Sequence, residues 1–146
     1  MTHFDERLQR ARYMACMTRK ELSERSGVQY ATLSLYEQGY AVPTLYNAVL
    51  LANAMEMSLD WLAGRTEETE VPETIERDSS YFAARLREAR KAAGMSEKDL
   101  AARAGPHGVS PSFETDGRLP RLKNAAALAD VLGVSIDQLV SKERLT

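Results

Sequence analysis

The run Met17-Thr18-Arg19-Lys20-Glu21-Leu22-Ser23-Glu24-Arg25-Ser26-Gly27-Val28, followed by Thr32-Leu33-Ser34-Leu35-Tyr36-Glu37-Gln38-Gly39, decides the reading of this chain. Thr18 and Glu21 stand at capping-box spacing, where hydroxyl and carboxylate each satisfy a free N–H, so a helix starts there. Gly27 offers the left-handed cap that ends it. Leu33 and Tyr36, with Ala31 or Thr32, form a second apolar set that Gly39 stops. Upstream, Phe4, Leu8, Ala11 and Ala15 recur at spacings of three or four, which makes an amphipathic first helix. Downstream, Pro43-Thr44 opens a helix bearing Leu45, Ala48, Leu51, Ala52 and Met55, and Ser58 caps a short last one with Leu59 and Leu62. No segment sustains β-branched alternation, so the chain reads as all-α.

The same pattern occurs twice. At an offset of 78, Phe4, Arg7, Leu8, Ala11, Arg12, Met17, Leu22, Arg25 and Gly27 meet Phe82, Arg85, Leu86, Ala89, Arg90, Met95, Leu100, Arg103 and Gly105. At 77, Glu37, Pro43, Asn47, Ala48, Leu51, Ala52, Ser58, Asp60 and Leu62 meet Glu114, Pro120, Asn124, Ala125, Leu128, Ala129, Ser135, Asp137 and Leu139. Chance would align scattered Leu and Ala, but not also the glycine, the proline, the charged pair and the helix-start serines. The second copy lacks one residue between Gly105 and Glu114.

Two helices joined at a glycine turn within some 60 residues follow the helix-turn-helix plan. The quoted runs, with Pro43, Leu51-Ala52 and Ser58-Leu59-Asp60-Trp61-Leu62, resemble the Cro/repressor-type (XRE, lambda-repressor-like) helix-turn-helix family. The resemblance covers most of 4–64 and of 82–140. It implies two five-helix bundles in tandem, and composition sets their bounds: a DNA-binding domain at 1–65, an acidic linker at 66–80, and a second, degenerate domain at 81–146.

Charge is distributed accordingly. The 146 residues carry 19 Lys+Arg and 21 Asp+Glu, a formal −2 that by itself argues against nucleic acid. Residues 1–65 are neutral, residues 66–80 hold six acidic side chains against one basic, and residues 81–146 are +3. The acidic stretch has little apolar surface to bury and reads as a solvated tether. A single cysteine, Cys16, excludes an internal disulfide framework. It has no partner for zinc and reads as buried filler at a helix end. No apolar run is long enough to cross a bilayer, and the first residues lack a signal-peptide layout. With no phosphate loop, nucleophile elbow or histidine cluster, no enzyme activity, cofactor or metal is expected.

A recognition helix enters the major groove with its N-terminal residues against base edges. In the first copy it should run from about Gln29 to Gln38. Leu33, Tyr36 and Thr32 turn inward, which leaves Gln29, Tyr30, Ala31, Ser34 and Leu35 toward the groove. Gln29 suits adenine, while Ala31 and Leu35 suit thymine methyls. The resemblance places Arg19 at a phosphate or outer base, with Lys20, Asn47 and Arg10 as further phosphate candidates. It also implies that Arg12 and Glu37 form a structural ion pair, repeated by Arg90 and Glu114.

In the second copy, Gly105-Pro106-His107-Gly108-Val109-Ser110-Pro111-Ser112-Phe113 replaces the reading helix. A helix capped by Ser110 would span under two turns, so this copy should keep the fold and lose ordinary groove reading. Dimerisation or partner binding is then its expected role, although Arg118, Arg121 and Lys123 could still hold phosphates. The chain as a whole reads as a sequence-specific regulator, a repressor rather than an activator. It is expected to work in the cytoplasm at the nucleoid, as a homodimer on an inverted repeat of double-stranded DNA. The rival is an antitoxin or adaptor whose 81–146 domain binds a protein partner.

Overall fold

The computed structural model describes residues 3–71, 76–105, 114 and 118–145. In the first copy these form α1 (Phe4–Met14), α2 (Arg19–Ser26), α3 (Tyr30–Glu37), α4 (Leu45–Met55) and α5 (Leu59–Leu62). A 3-10 turn, Ser79–Tyr81, leads into the second copy, with α6 (Phe82–Ala92), α7 (Glu97–Ala104), α8 (Leu122–Leu132) and α9 (Ile136–Leu139). Among the described residues the only extended pairing is two isolated bridges, Thr44 with Arg121 and Arg77 with Ser141. The protein is therefore two helical bundles in tandem. No described helix is long and apolar enough to cross a membrane.

Local signals set these boundaries. The Thr18 hydroxyl accepts from the Glu21 N–H, and the Glu21 carboxylate accepts from the Thr18 N–H. Gly27, at φ +82°, closes α2. The hydroxyls of Thr44, Ser58 and Ser96 accept from the third backbone N–H of α4, α5 and α7, and Ser135 with Gln138 forms a second reciprocal box at α9. Burial then selects one face of each helix. Leu8, Leu22, Leu33, Leu51 and Leu62 are wholly buried in the first bundle, and Phe82, Ile136 and Leu139 in the second. Each such side chain contributes about 1.5–3 kcal/mol relative to exposure.

Two positions close helices through left-handed residues other than glycine. Cys16 has φ +56° and Glu56 has φ +53°, whereas their repeat equivalents are Gly94 at +70° and Gly133 at +68°. Cys16 is exposed, contrary to the expectation of buried filler, because the turn that ends α1 directs it to solvent. The second copy has thus relieved a backbone strain that the first retains. Glu56→Gly should raise stability by about 1 kcal/mol, read from a urea melt, since left-handed backbone disfavours a Cβ. An unchanged midpoint would mean that the position is unstrained.

The acidic stretch departs from the solvated tether at both ends. The Ser58 N–H donates to Thr69 O at 3.0 Å, and Arg7 Nη1 donates to Thr66 O at 2.8 Å. Arg77 is 7% exposed: its Nη1 reaches Met57 O at 2.8 Å and Asp137 Oδ1 at 2.6 Å. Lys142 N donates to Glu76 O, and Asp78 N to Val140 O, which lays 76–78 along the end of the second bundle. Composition misled here because its one cation is the residue that finds buried acceptors. Residues 72–75 lie outside the described residues.

The two bundles pack on each other through equivalent residues. Leu45 N donates to Pro120 O at 2.9 Å, and Leu122 N donates to Pro43 O at 3.0 Å. Leu59 N donates to Asp137 Oδ1 at 3.0 Å, while Ile136 N and Asp137 N donate to Asp60 Oδ1 and Oδ2 at 2.9 and 3.2 Å. Each of α5 and α9 thus has its first turn capped by the other's aspartate. Every one of these partners is related to its counterpart by the offset of 77. The contact is isologous, as in a two-fold dimer, but lies within one chain.

Candidate nucleic-acid interface

Helix α3 is fixed from behind and open in front. Leu33 is wholly buried and Tyr36 is 4% exposed, with the Tyr36 ring edge-on to Phe4 at 6.0 Å between centroids. On the opposite side Gln29, Tyr30, Ala31 and Leu35 are exposed and Ser34 is half-buried. The turn ahead of α3 is stitched by Ser23 Oγ donating to Val28 O at 2.6 Å and Val28 N donating to Ser26 Oγ at 3.1 Å. Gln29 is the N-cap residue of α3, and its side chain makes no capping bond. Its side chain is exposed and is not spent on capping the helix.

The rear of α3 is held by charge. Arg12 Nε and Nη2 each donate to the Glu37 carboxylate at 2.9 Å, and Arg12 Nη1 donates to Met17 O at 3.1 Å. The Glu37 side chain is fully buried. The hydrogen bond to Glu37 raises the Arg12 pKa further, against the opposing effect of burial. Gln9 Nε2 donates to Glu37 O at 2.8 Å, a support that the sequence reading missed. The second bundle repeats this arrangement. Arg90 Nε and Nη2 meet Glu114 at 2.6 and 3.0 Å, Arg90 Nη1 meets Met95 O at 2.8 Å, and Arg87, at the Gln9 position, donates to Glu114 O at 3.3 Å.

The expected phosphate candidates fall into different settings. Arg19 bridges α2 to α3, with Nε 3.3 Å from Glu37 Oε1 and Nη1 3.5 Å from Ser34 Oγ, and its side chain stays one-third exposed. Lys20 is exposed beside it. Asn47 Nδ2 donates to Tyr36 Oη at 2.9 Å, which ties the start of α4 to α3. Arg10 lies over the Trp61 ring at 5.5 Å, so a cation–π contact holds it on the α5 side, away from the grouping around α3. Exposed Tyr40, Val42 and Tyr46 flank the end of α3 and the start of α4. The sequence reading passed over these three. The signal was their mismatch with Gly117, Leu119 and Lys123 at the equivalent positions of an otherwise matching repeat. Ser110, Pro111 and the rest of the counterpart of α3, Glu114 apart, lie outside the described residues.

A turn-linked helix pair with one open face, inside a bundle that occurs twice, is matched by one family pattern. The helix-turn-helix family covers residues 10–62 and again 86–139. The chain is a helix-turn-helix protein of the Cro/repressor (XRE) type. This helix-turn-helix protein is also similar to the cryptic phage CTXphi transcriptional repressor RstR of Vibrio cholerae serotype O1 (strain ATCC 39315 / El Tor Inaba N16961). The two are 35% identical over 60 residues, 41% of this chain and 54% of RstR, so the match spans about half of that relative. No solved structure matches the chain. Among the described residues of the helix-turn-helix protein, no group of three or more His, Cys, Asp or Glu is arranged to hold a metal ion.

Proposed function

We propose that the chain is a sequence-specific DNA-binding transcriptional regulator that represses, reading base edges in the major groove through α3 of its first bundle. The observation that carries this reading is the open face of α3, Gln29, Tyr30, Ala31 and Leu35, on a helix pinned from behind by Leu33, Tyr36 and Glu37. Fixed backing matters because base readout requires side chains placed before the DNA arrives. Gln29 pairs with adenine N6 and N7, Ala31 and Leu35 pack on thymine methyls, and the Tyr30 hydroxyl reaches a base or phosphate. Arg19 and Lys20 contact the backbone at the start of α2, with Ser34 and Asn47 at the edge of the groove. The similarity to a phage repressor supports repression over activation. Such a partner puts the protein's work in the cytoplasm, at the nucleoid.

Changing Gln29 and Tyr30 together to Ala should weaken binding to the selected site by roughly 1–3 kcal/mol per lost base contact, toward the non-specific level. Fluorescence anisotropy on a duplex selected from a random pool reads this, and circular dichroism should show an unchanged fold. Undiminished affinity for that duplex would remove α3 from the reading role. A homodimer of two first bundles on an inverted repeat is one way to present α3; a single chain on one site is the other.

A further inference from the structure

The face formed by the starts of α4 and α5 of the first bundle is occupied by the second bundle. The pairing uses equivalent residues on both sides: Pro43, Leu45, Leu59 and Asp60 against Pro120, Leu122, Ile136 and Asp137. It is reinforced by two arginines. Arg65 of the first bundle reaches Asp60, Asp130 Oδ1 at 2.8 Å and Val134 O at 3.1 Å, and Arg77 of the connecting segment reaches Asp137. Ser58 Oγ adds a bond to Asp137 Oδ2 at 2.9 Å. A second chain would have to displace all of these contacts to use the same face.

This pairing also fixes what stands beside the reading helix. Asn47 ties the start of α4 to Tyr36 of α3, Thr44 caps α4, and Thr44 is bridged to Arg121. Arg121 and Lys123, both exposed, thus border the first bundle at the positions equivalent to Thr44 and Tyr46. Two of the cations of residues 81–146 are brought there by the fold itself.

We propose, on the reading of α3 as a DNA reader, that one chain is a complete two-part DNA-binding unit: the first bundle reads bases, and the second stands where a dimer partner would stand, holding the adjacent backbone phosphates through Arg121 and Lys123. Its ligand is double-stranded DNA at one chain per site, with an asymmetric footprint. Sequence information is concentrated in one half of that footprint, and the other half is gripped by charge. The near-neutral first bundle then adds to the phosphate contacts of Arg19 and Lys20 a second set from its own chain.

Light scattering on the full-length protein, alone and with a duplex from the random-pool selection, tests the proposal. Alone, the mass should be that of one chain. On DNA, the complex should hold one chain per duplex. The Arg121→Ala/Lys123→Ala double variant should keep its base preferences, while the negative slope of log affinity against log salt becomes shallower by about 2. Two chains per duplex, with an inverted repeat protected equally in both halves, would overturn the proposal and leave the functional reading intact. A solution mass of two chains, as exchange of second bundles would give, overturns it as well, and so does an unchanged salt slope. Failure to bind any duplex in the pool sinks the functional reading and this proposal with it, whereas the solution mass still reports whether the bundles pair within one chain.

Discussion

Arg12→Ala should lower the stability of the full-length protein by about 3–5 kcal/mol, measured by urea denaturation. The reason is what the substitution leaves behind. Glu37 has a fully buried carboxylate that accepts two bonds from Arg12, and removing the cation strands that charge in a low-dielectric interior. Arg19, 3.3 Å from Glu37 Oε1, offsets part of the loss and moves the expected value toward the lower end of the range. Replacing both partners, Arg12→Met with Glu37→Leu, should recover most of it, because well-packed apolar groups often match a buried ion pair in stability. The double variant would still bind DNA less well, since Glu37 also orients Arg19 beside Ser34. A loss below 1 kcal/mol for Arg12→Ala would show that the pair is not the tie between α1 and α3.

The second large effect lies between the bundles. Asp137→Ala removes the acceptor of Leu59 N–H, Ser58 Oγ and Arg77 Nη1 together. Arg77 is then left buried beside Met57 O with its carboxylate partner gone, so a loss of about 3–5 kcal/mol is expected. Limited proteolysis should also find the two bundles separated. Unchanged thermal unfolding in this variant would remove the aspartate pair from the account of how the bundles adhere.

The same pair makes adhesion depend on pH. Burial, then the hydrogen bond with Asp137, pushes Asp60 up from 3.8 to about 6. Burial would raise Asp137 too, but the Asp60 carboxyl and the Arg77 charge outweigh it and hold Asp137 low. Below about pH 6 the folded protein thus keeps on Asp60, even with Arg65 beside it, a proton that the unfolded chain releases near 3.8. The stability this proton supplies is full below that value and is lost as pH rises through about 6. Asp137 acts with opposite sign, its contribution being lost only as pH falls through its lowered pKa. Melting temperature should therefore be higher near pH 5 than near pH 8, and Asp60→Asn should flatten the difference. An equal difference in Asp60→Asn would assign the pH dependence to other groups.

These expectations separate what a linear reading can reach from what it cannot. The Thr18–Glu21 box, Gly27, the Thr44 and Ser58 caps and the inward set of Leu33 and Tyr36 were all legible, because each signal spans one or two helical turns. So was the repeat, which rests on residue identity rather than contact. The burial of Arg77 was not legible, since its acceptors lie 20 and 60 residues away and composition counts a charge without its partners. Cys16 was misread for a related reason: the left-handed turn that exposes it is usually announced by a glycine, and here only Gly94 in the other copy announces it. Asp60 and Asp137 match in the repeat, yet nothing local shows that each caps the other's helix across 77 positions.

The reciprocal capping of α5 and α9 has a consequence for how such a protein can change. In a homodimer one gene writes both halves, so every substitution appears twice and the site it recognises tends to remain a palindrome. Here the two halves are encoded separately. Gln29 and Tyr30 can vary while Arg121 and Lys123 stay, or the reverse, provided that Asp60 and Asp137 continue to match. A chain built this way has the geometry of a symmetric assembly without being bound to its symmetry.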